Sequence, residues 1–169
     1  LYMGLPGQAG GEAVADLLYG RVNPSGRLAE SWPFTYEDVP SSEIYGKTTD
    51  ALYEEGIYVG YRYYDKAGVP VRWPFGYGLS YTEFAYSDLT VSGDTVSVTV
   101  KNTGAFAGAE VAQLYVRAPQ DGLHRPLREL KGFRKLFLQP GESQTVTFPL
   151  TDRSFAVWQD GWKVPGGTY

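Results

Sequence analysis

The residues of this sequence best suited to acid–base chemistry are carboxylates in an aromatic-rich stretch. Glu54 and Glu55 are adjacent in the string YEEGI, and Asp65 follows two tyrosines further along. Glycoside hydrolysis uses two carboxyl groups, about 5 Å apart for retention of configuration and farther apart for inversion. In an extended segment neighbouring side chains point to opposite sides, so Glu54 and Glu55 are not expected to face each other. One of the two, Glu54 or Glu55, is expected to line a pocket with Tyr61 or Trp73. Glu55, Asp65 and Trp73 are the candidates for substrate binding. No residue is predicted to be catalytic.

Three other motifs have ordinary structural explanations. His124 is the only histidine and cysteine is absent, so no metal site is predicted and His124 is interpreted as a surface-loop residue. The string GLSYT at 78–82 resembles a nucleophile elbow, but its fifth residue is threonine, which favours a turn entering the next domain. Glycine-rich residues 7–11 open a helix, and a tightly packed strand-to-helix turn explains them better than an anion site. No cofactor is implied.

Length and composition limit the fold and the partners. The 169 residues, 43% hydrophobic and 20% charged, are typical of one globular domain with room for a piece of a second. Without cysteine, a disulfide scaffold and a cysteine nucleophile are excluded. Fifteen basic and nineteen acidic residues give a net charge of −4 without a basic face, which argues against nucleic-acid binding. No apolar run approaches the roughly 20 residues of a membrane-spanning helix, so no membrane partner is predicted.

The first of three regions, residues 1–32, is predicted to be an αβ unit. A helix from Glu12 to Tyr19 places Ala13, Val14, Leu17 and Leu18 on one stripe, with Gly20 as its left-handed C-terminal cap. A turn at 23–26 and a short extended run ending at Trp32 follow. This unit is too small to bury its own apolar face, so it is expected to be the remnant of a larger α/β sandwich domain.

Residues 33–82 are predicted to be an irregular crossing segment. Four prolines and six glycines interrupt any long helix, and tyrosines recur throughout. A tyrosine buries a flat apolar ring while its hydroxyl stays hydrated, so this segment is expected to lie across a surface between two domains.

Residues 83–169 are predicted to be a β-sandwich of the immunoglobulin or fibronectin type III class. Residues 94–100 alternate strictly, and the turn at 139–142 separates two further strands. Six strands are expected, centred near Phe84, Val96, Leu114, Leu136, Val146 and Phe155. A seventh is expected from about Thr168, so the sandwich is predicted to lack its last strand. The fold class is therefore mainly β, with the αβ remnant and the crossing segment preceding the sandwich.

Five strings resemble one known family. They are PGQAGGEAVADLLYGRVNPSGRL (6–28), YEEGIYVGYRYYD (53–65), PFGYGLSYTEF (74–84), AEVAQLYV (109–116) and RPLRELKGFRKLFLQPGES (125–143). In order and spacing they resemble the C-terminal part of three-domain β-glucosidases of glycoside hydrolase family 3.

The resemblance implies a function for a longer parent enzyme. Such enzymes have a (β/α)₈ barrel with the aspartate nucleophile, an α/β sandwich domain with the acid/base glutamate, and a fibronectin III-like domain. Neither catalytic motif occurs here, so the implied partners are the barrel and the α/β sandwich domain of the parent. The parent would hydrolyse terminal β-D-glucosyl residues with retention, whereas this chain would be structural and inactive alone. Unpaired strand edges predict self-association of the isolated chain.

Two alternatives stay open. One is a binding module in which rings near Trp73, Trp158 and Trp162 stack on a glycan or a partner protein. A coplanar exposed row would favour this module, whereas burial against residues 1–32 would favour the scaffold. The other is a parent that is a β-xylosidase or another exo-glycosidase of the same family.

Overall fold

The computed structural model describes residues 1–47, 49–50 and 52–169. Strands outnumber helices. In chain order the elements are α1 (Gly10–Leu18), β1 (Trp32–Pro33), the 3-10 turn η1 (Tyr36–Asp38), α2 (Tyr61–Ala67), β2 (Val71–Trp73), β3 (Phe84–Ser92), β4 (Thr95–Asn102), β5 (Gly108–Arg117), β6 (Arg128–Leu138), β7 (Ser143–Pro149), α3 (Asp152–Phe155), β8 (Val157–Trp158) and β9 (Trp162–Lys163). The prediction of a mainly β chain is confirmed.

Two antiparallel sheets form the sandwich. One has the strand order β3–β4–β7 and the other pairs β5 with β6. Both sheets contribute to a single core of buried side chains: Val100, Ala112, Leu136, Leu138, Val146 and Phe148. The predicted alternation in β4 is confirmed, because Val96 and Val100 are buried and Val98 packs against the core. Gly132 allows close packing, since a Cβ there would lie 2.8 Å from Cδ1 of Phe148.

Helix α1 ends as its sequence predicts. Gly20 has a φ of 70°, and its amide donates to the carbonyl of Leu17 while the amide of Arg21 donates to the carbonyl of Asp16. These two bonds are those of a Schellman cap, which glycine adopts without steric cost. On the predicted apolar stripe, Val14 and Leu17 are half-buried, whereas Leu18 is 68% exposed.

The N-terminal unit is joined to the crossing segment by backbone pairing. Strands β1 and β2 are antiparallel, with Trp32 opposite Trp73. The amide of Leu28 donates to the carbonyl of Tyr77, and the amide of Gly76 donates to the carbonyl of Leu28. Residues 28–33 therefore pair with residues 71–77.

Two local predictions are wrong. The crossing segment contains helix α2, which begins after Gly60 and ends at Gly68 in a left-handed conformation. The buried side chain of Tyr64 anchors this helix, and the prolines and glycines of the segment were expected to interrupt only a long helix. Phe155 does not begin a strand, because residues 152–155 form helix α3, capped by Thr151, and only Val157–Trp158 pair with a neighbour.

Candidate functional site: the seam between the crossing segment and the sandwich

Asp65 lies on α2 and forms an ion pair with the sandwich. Its carboxylate accepts hydrogen bonds from Nε of Arg128 at 2.7 Å and from Nη2 at 3.2 Å. These bonds to the carboxylate raise the pKa of Arg128, against the opposing effect of partial burial. A bidentate pair of this kind fixes the orientation of both groups. Asp65 therefore connects the crossing segment to β6.

Aromatic rings pack beside this ion pair. The ring of Tyr61 lies 5.2 Å from that of Phe75 and 5.7 Å from that of Tyr115, and its hydroxyl accepts a hydrogen bond from the amide of Leu130 at 2.9 Å. Burial raises the pKa of Tyr115, and the neighbouring Tyr61 raises it further. We call Tyr61, Asp65, Phe75, Tyr115 and Arg128 the seam. It places the rings of Tyr61 and Tyr115 between the crossing segment and the sandwich.

A second connection lies nearer the N-terminal unit. Arg27 forms an ion pair with Glu110 of β5, and each side chain is only 13% exposed. The other carboxylate oxygen of Glu110 accepts a hydrogen bond from the Tyr86 hydroxyl at 2.9 Å. Burial raises the pKa of Tyr86 well above its usual value, and the negative charge of Glu110 adds to the effect. Sequence reasoning missed this triad because its members are far apart in the chain.

Two asparagines, Asn23 and Asn102, make side-chain hydrogen bonds to distant parts of the chain. The Asn23 side chain exchanges hydrogen bonds with the Ser80 hydroxyl at 3.0 and 3.1 Å and accepts one from the Tyr81 amide at 2.7 Å. Asn102 is fully buried; its amide group donates to the carbonyls of Phe106 and Leu138. The motif NPSG at 23–26 predicted a turn, but it gave no indication of the long-range partners of Asn23.

Trp73 packs against the N-terminal unit. Its ring lies 5.4 Å from that of Trp32, which in turn contacts the ring of Tyr2 at 4.9 Å. Trp158 and Trp162 are 61% and 55% exposed, but their planes cross at 70°. Burial against residues 1–32 favours the scaffold interpretation for Trp73, and the two exposed tryptophans do not form a coplanar row.

Glu55 lies apart from the seam. It is half-buried, in a turn at 54–57, and lines an open cavity of about 440 Å³ with Trp32, Tyr64 and Glu30. Asp65 lines a different cavity of about 180 Å³, together with Tyr61. Neither Tyr61 nor Trp73 lines the cavity of Glu55, and Glu55 and Asp65 line different cavities.

The remaining motifs of the sequence, at His124, Ser80 and Gly10, make contacts that fit their structural interpretation. His124 is exposed in a loop, with its ring 4.8 Å from that of Tyr58. The Ser80 hydroxyl is bonded to Asn23 rather than to a histidine. Within the glycine-rich entry to α1, a Cβ on Gly10 would lie 2.5 Å from the ring of Pro6, so close packing requires glycine there.

Within the described ranges, no three His, Cys, Asp or Glu side chains lie close enough together to hold a metal ion. The helices of that same part of the chain lack the length and apolarity needed to cross a bilayer.

Comparison with known proteins identifies two matching domain families. Residues 1–61 match the glycosyl hydrolase family 3 C-terminal domain, and residues 110–169 match the fibronectin type III-like domain. Both matches agree with the resemblance noted in the sequence.

Similar proteins cover almost the whole chain. Thermostable β-glucosidase B of Acetivibrio thermocellus is 48% identical over 98% of this chain and 23% of that protein. Exo-α-(1→6)-L-arabinopyranosidase of Bifidobacterium breve is 45% identical, over 98% of this chain and 23% of that protein. The crystal structure of the family 3 β-glucosidase of Bifidobacterium adolescentis superimposes with a TM-score of 0.88 at 43% identity, over 95% of this chain and 25% of that chain. This chain spans about a quarter of the length of these proteins.

Proposed function

Because this chain belongs to the C-terminal region of glycosyl hydrolase family 3, we propose that it is the scaffold of a β-glucosidase whose reacting carboxylates lie elsewhere in a longer parent chain. The observation that carries this proposal is the set of contacts at the seam. Asp65, a substrate-binding candidate of the sequence, forms an ion pair with Arg128, and the rings of Tyr61 and Tyr115 pack between the crossing segment and the sandwich.

We propose a division of the chain into three regions, which these contacts support. Residues 1–32 form the end of an α/β sandwich domain, residues 33–82 the crossing segment, and residues 83–169 belong to the fibronectin III-like domain. Exposed apolar side chains in the first region support this division, since Leu5 is 101% and Tyr19 79% exposed. Surfaces of this kind are typical of an interface with another domain.

In the parent, one carboxylate would attack the anomeric carbon and a second would protonate the leaving oxygen, giving a covalent glycosyl-enzyme that water then hydrolyses. The two groups would come from different domains, so their separation depends on how rigidly those domains are held. A misplacement of about 1 Å can reduce the rate about 100-fold. The seam and the Arg27–Glu110 pair supply that rigidity on the side of this chain.

The sugar that the parent enzyme would release is a separate proposal. We favour a β-D-glucoside, since the A. thermocellus and B. adolescentis proteins are named β-glucosidases. The B. breve relative, named for arabinopyranose release, has nearly the same identity. A parent with another exo-glycosidase specificity is therefore the second candidate.

Two assays test the scaffold role. The isolated chain should hydrolyse no aryl β-glucoside above background, and turnover that disappears in a Glu55→Gln variant would overturn the proposal. In the parent, Asp65→Asn should lower kcat by about tenfold or more with little change in KM, because the seam loosens while the sugar site is intact. Asp94→Asn, at an exposed position, is the matched control. Equal kcat for both variants would contradict a positioning role.

A further inference from the structure

Two strings of the sequence, NPSG at 23–26 and GLSYT at 78–82, meet in the fold at the side chain of Asn23. The Asn23 oxygen accepts a hydrogen bond from the Tyr81 amide at 2.7 Å and one from the Ser80 hydroxyl at 3.1 Å. Asn23 and Ser80 are both half-buried. Because they lie 57 residues apart in the chain, only the tertiary fold brings them together.

The same cluster of hydrogen bonds includes strand β5 of the sandwich. The Asn23 amide group donates to the Ser25 hydroxyl at 3.1 Å, and that hydroxyl accepts a hydrogen bond from the amide of Ala109 at 3.0 Å. A Cβ on Gly108 would overlap the Asn23 amide group, so this close packing requires glycine. We call the cluster the Asn23 junction, which consists of Asn23, Ser25, Ser80, Tyr81 and Ala109.

The Asn23 junction is connected directly to the end of helix α1. The Tyr81 hydroxyl donates a hydrogen bond to the Leu17 carbonyl at 2.8 Å, within the last turn of the helix. Carbonyls of the last helical turn lack partners within the helix and bind groups from outside it. Helix α1, the end of the crossing segment and strand β5 are therefore joined at one place, by bonds between residues of this chain.

We propose that Asn23 is a positioning residue for the acid/base glutamate of the parent enzyme. Under the proposed function, on which this role rests, residues 1–32 end the α/β sandwich domain, and that domain carries the glutamate. The Asn23 junction would limit movement of the end of this domain relative to the sandwich. A displacement of about 1 Å in a reacting constellation can cost about 100-fold in rate.

The step that this positioning would affect is glycosyl transfer to the nucleophile. The aspartate nucleophile forms a bond to the anomeric carbon, the bond to the leaving oxygen breaks, and the glutamate gives its proton to that oxygen. General acid catalysis of this kind contributes about 10²–10⁴-fold to the rate. Phenoxide needs this proton in order to leave, whereas dinitrophenoxide is a much weaker base and leaves without it.

The leaving group therefore separates a positioning role from a general loss of structure. The parent enzyme is assayed with phenyl β-D-glucoside and with dinitrophenyl β-D-glucoside, and kcat/KM is compared because it reports the transition state relative to free enzyme and substrate. We expect Asn23→Ala to lower kcat/KM about tenfold or more for the phenyl glucoside and less than about twofold for the dinitrophenyl glucoside. Equal losses with both substrates, or no loss with either, would overturn the proposal.

A second variant decides the question if circular dichroism shows that Asn23→Ala is unfolded. Tyr81→Phe removes only the hydroxyl that bonds to Leu17, and we expect the same selective loss. Ser143→Ala removes an exposed hydroxyl of β7 outside the junction and is the matched control, with both values unchanged. Hydrolysis of neither glucoside by the unmodified parent would overturn the proposed function and this role with it. An active parent without the selective loss would overturn the role of Asn23 alone.

Discussion

Replacing Glu110 by Gln would leave the Arg27 guanidinium buried without its counter-charge. Each side chain of this pair is 13% exposed, so little water is available to replace the lost carboxylate. Removing one partner from a buried ion pair costs about 3–5 kcal/mol, mainly because the remaining charge stays desolvated. Since this pair is not completely buried and a glutamine oxygen can still accept the Tyr86 hydroxyl, we expect the lower end, about 3 kcal/mol.

Thermal and urea unfolding of the isolated chain measure this loss. For a domain of this size about 3 kcal/mol corresponds to a fall in Tm of roughly 6–12 °C. Glu83→Gln, at an exposed position, should change the free energy of unfolding by less than about 0.5 kcal/mol. The double variant Arg27→Met/Glu110→Leu removes both charges and should recover most of the stability. If Glu110→Gln were as stable as Glu83→Gln, the triad would not connect the two regions.

Three other substitutions test individual contacts. Asn102→Ala should lower the free energy of unfolding by about 3 kcal/mol in chemical denaturation, because buried carbonyls lose their donor. Gly132→Ala should cost about 1–3 kcal/mol in the same assay, since the new methyl group overlaps the Phe148 ring. Folding raises the pKa of Tyr86, so the stability that this group contributes is present at neutral pH and is lost as pH rises above about 10. Tyr86→Phe should flatten that alkaline decline in urea unfolding series, whereas Tyr53→Phe, at a 91% exposed position, should not.

Local sequence patterns predicted the elements whose stability is itself local. The alternating valines of β4 indicated a strand because successive side chains of a strand point to opposite faces. Gly20 marked the end of α1 because a left-handed cap suits glycine. The QPGE string indicated a hairpin turn, and the amide of Glu142 indeed donates to the carbonyl of Gln139 at 3.0 Å.

The short helices were not predictable in the same way. Helix α2 has seven residues and α3 has four, too few for a clear helical period or for stability in isolation. Burial of Tyr64 stabilises α2, and residues that line a cavity with Tyr64, such as Trp32 and Val39, lie outside the local sequence.

The sequence by itself determined that a β-rich domain follows an αβ unit, and that tyrosines lie between them. The tertiary structure alone decided what the carboxylates do. Asp65 meets Arg128 across 63 residues of chain, and Glu110 meets Arg27 across 83. A carboxylate has the same formula whether it is a catalytic acid or half of an ion pair. Its chemistry depends on the charge beside it, and for these two residues that charge is brought in by folding from a distant part of the chain.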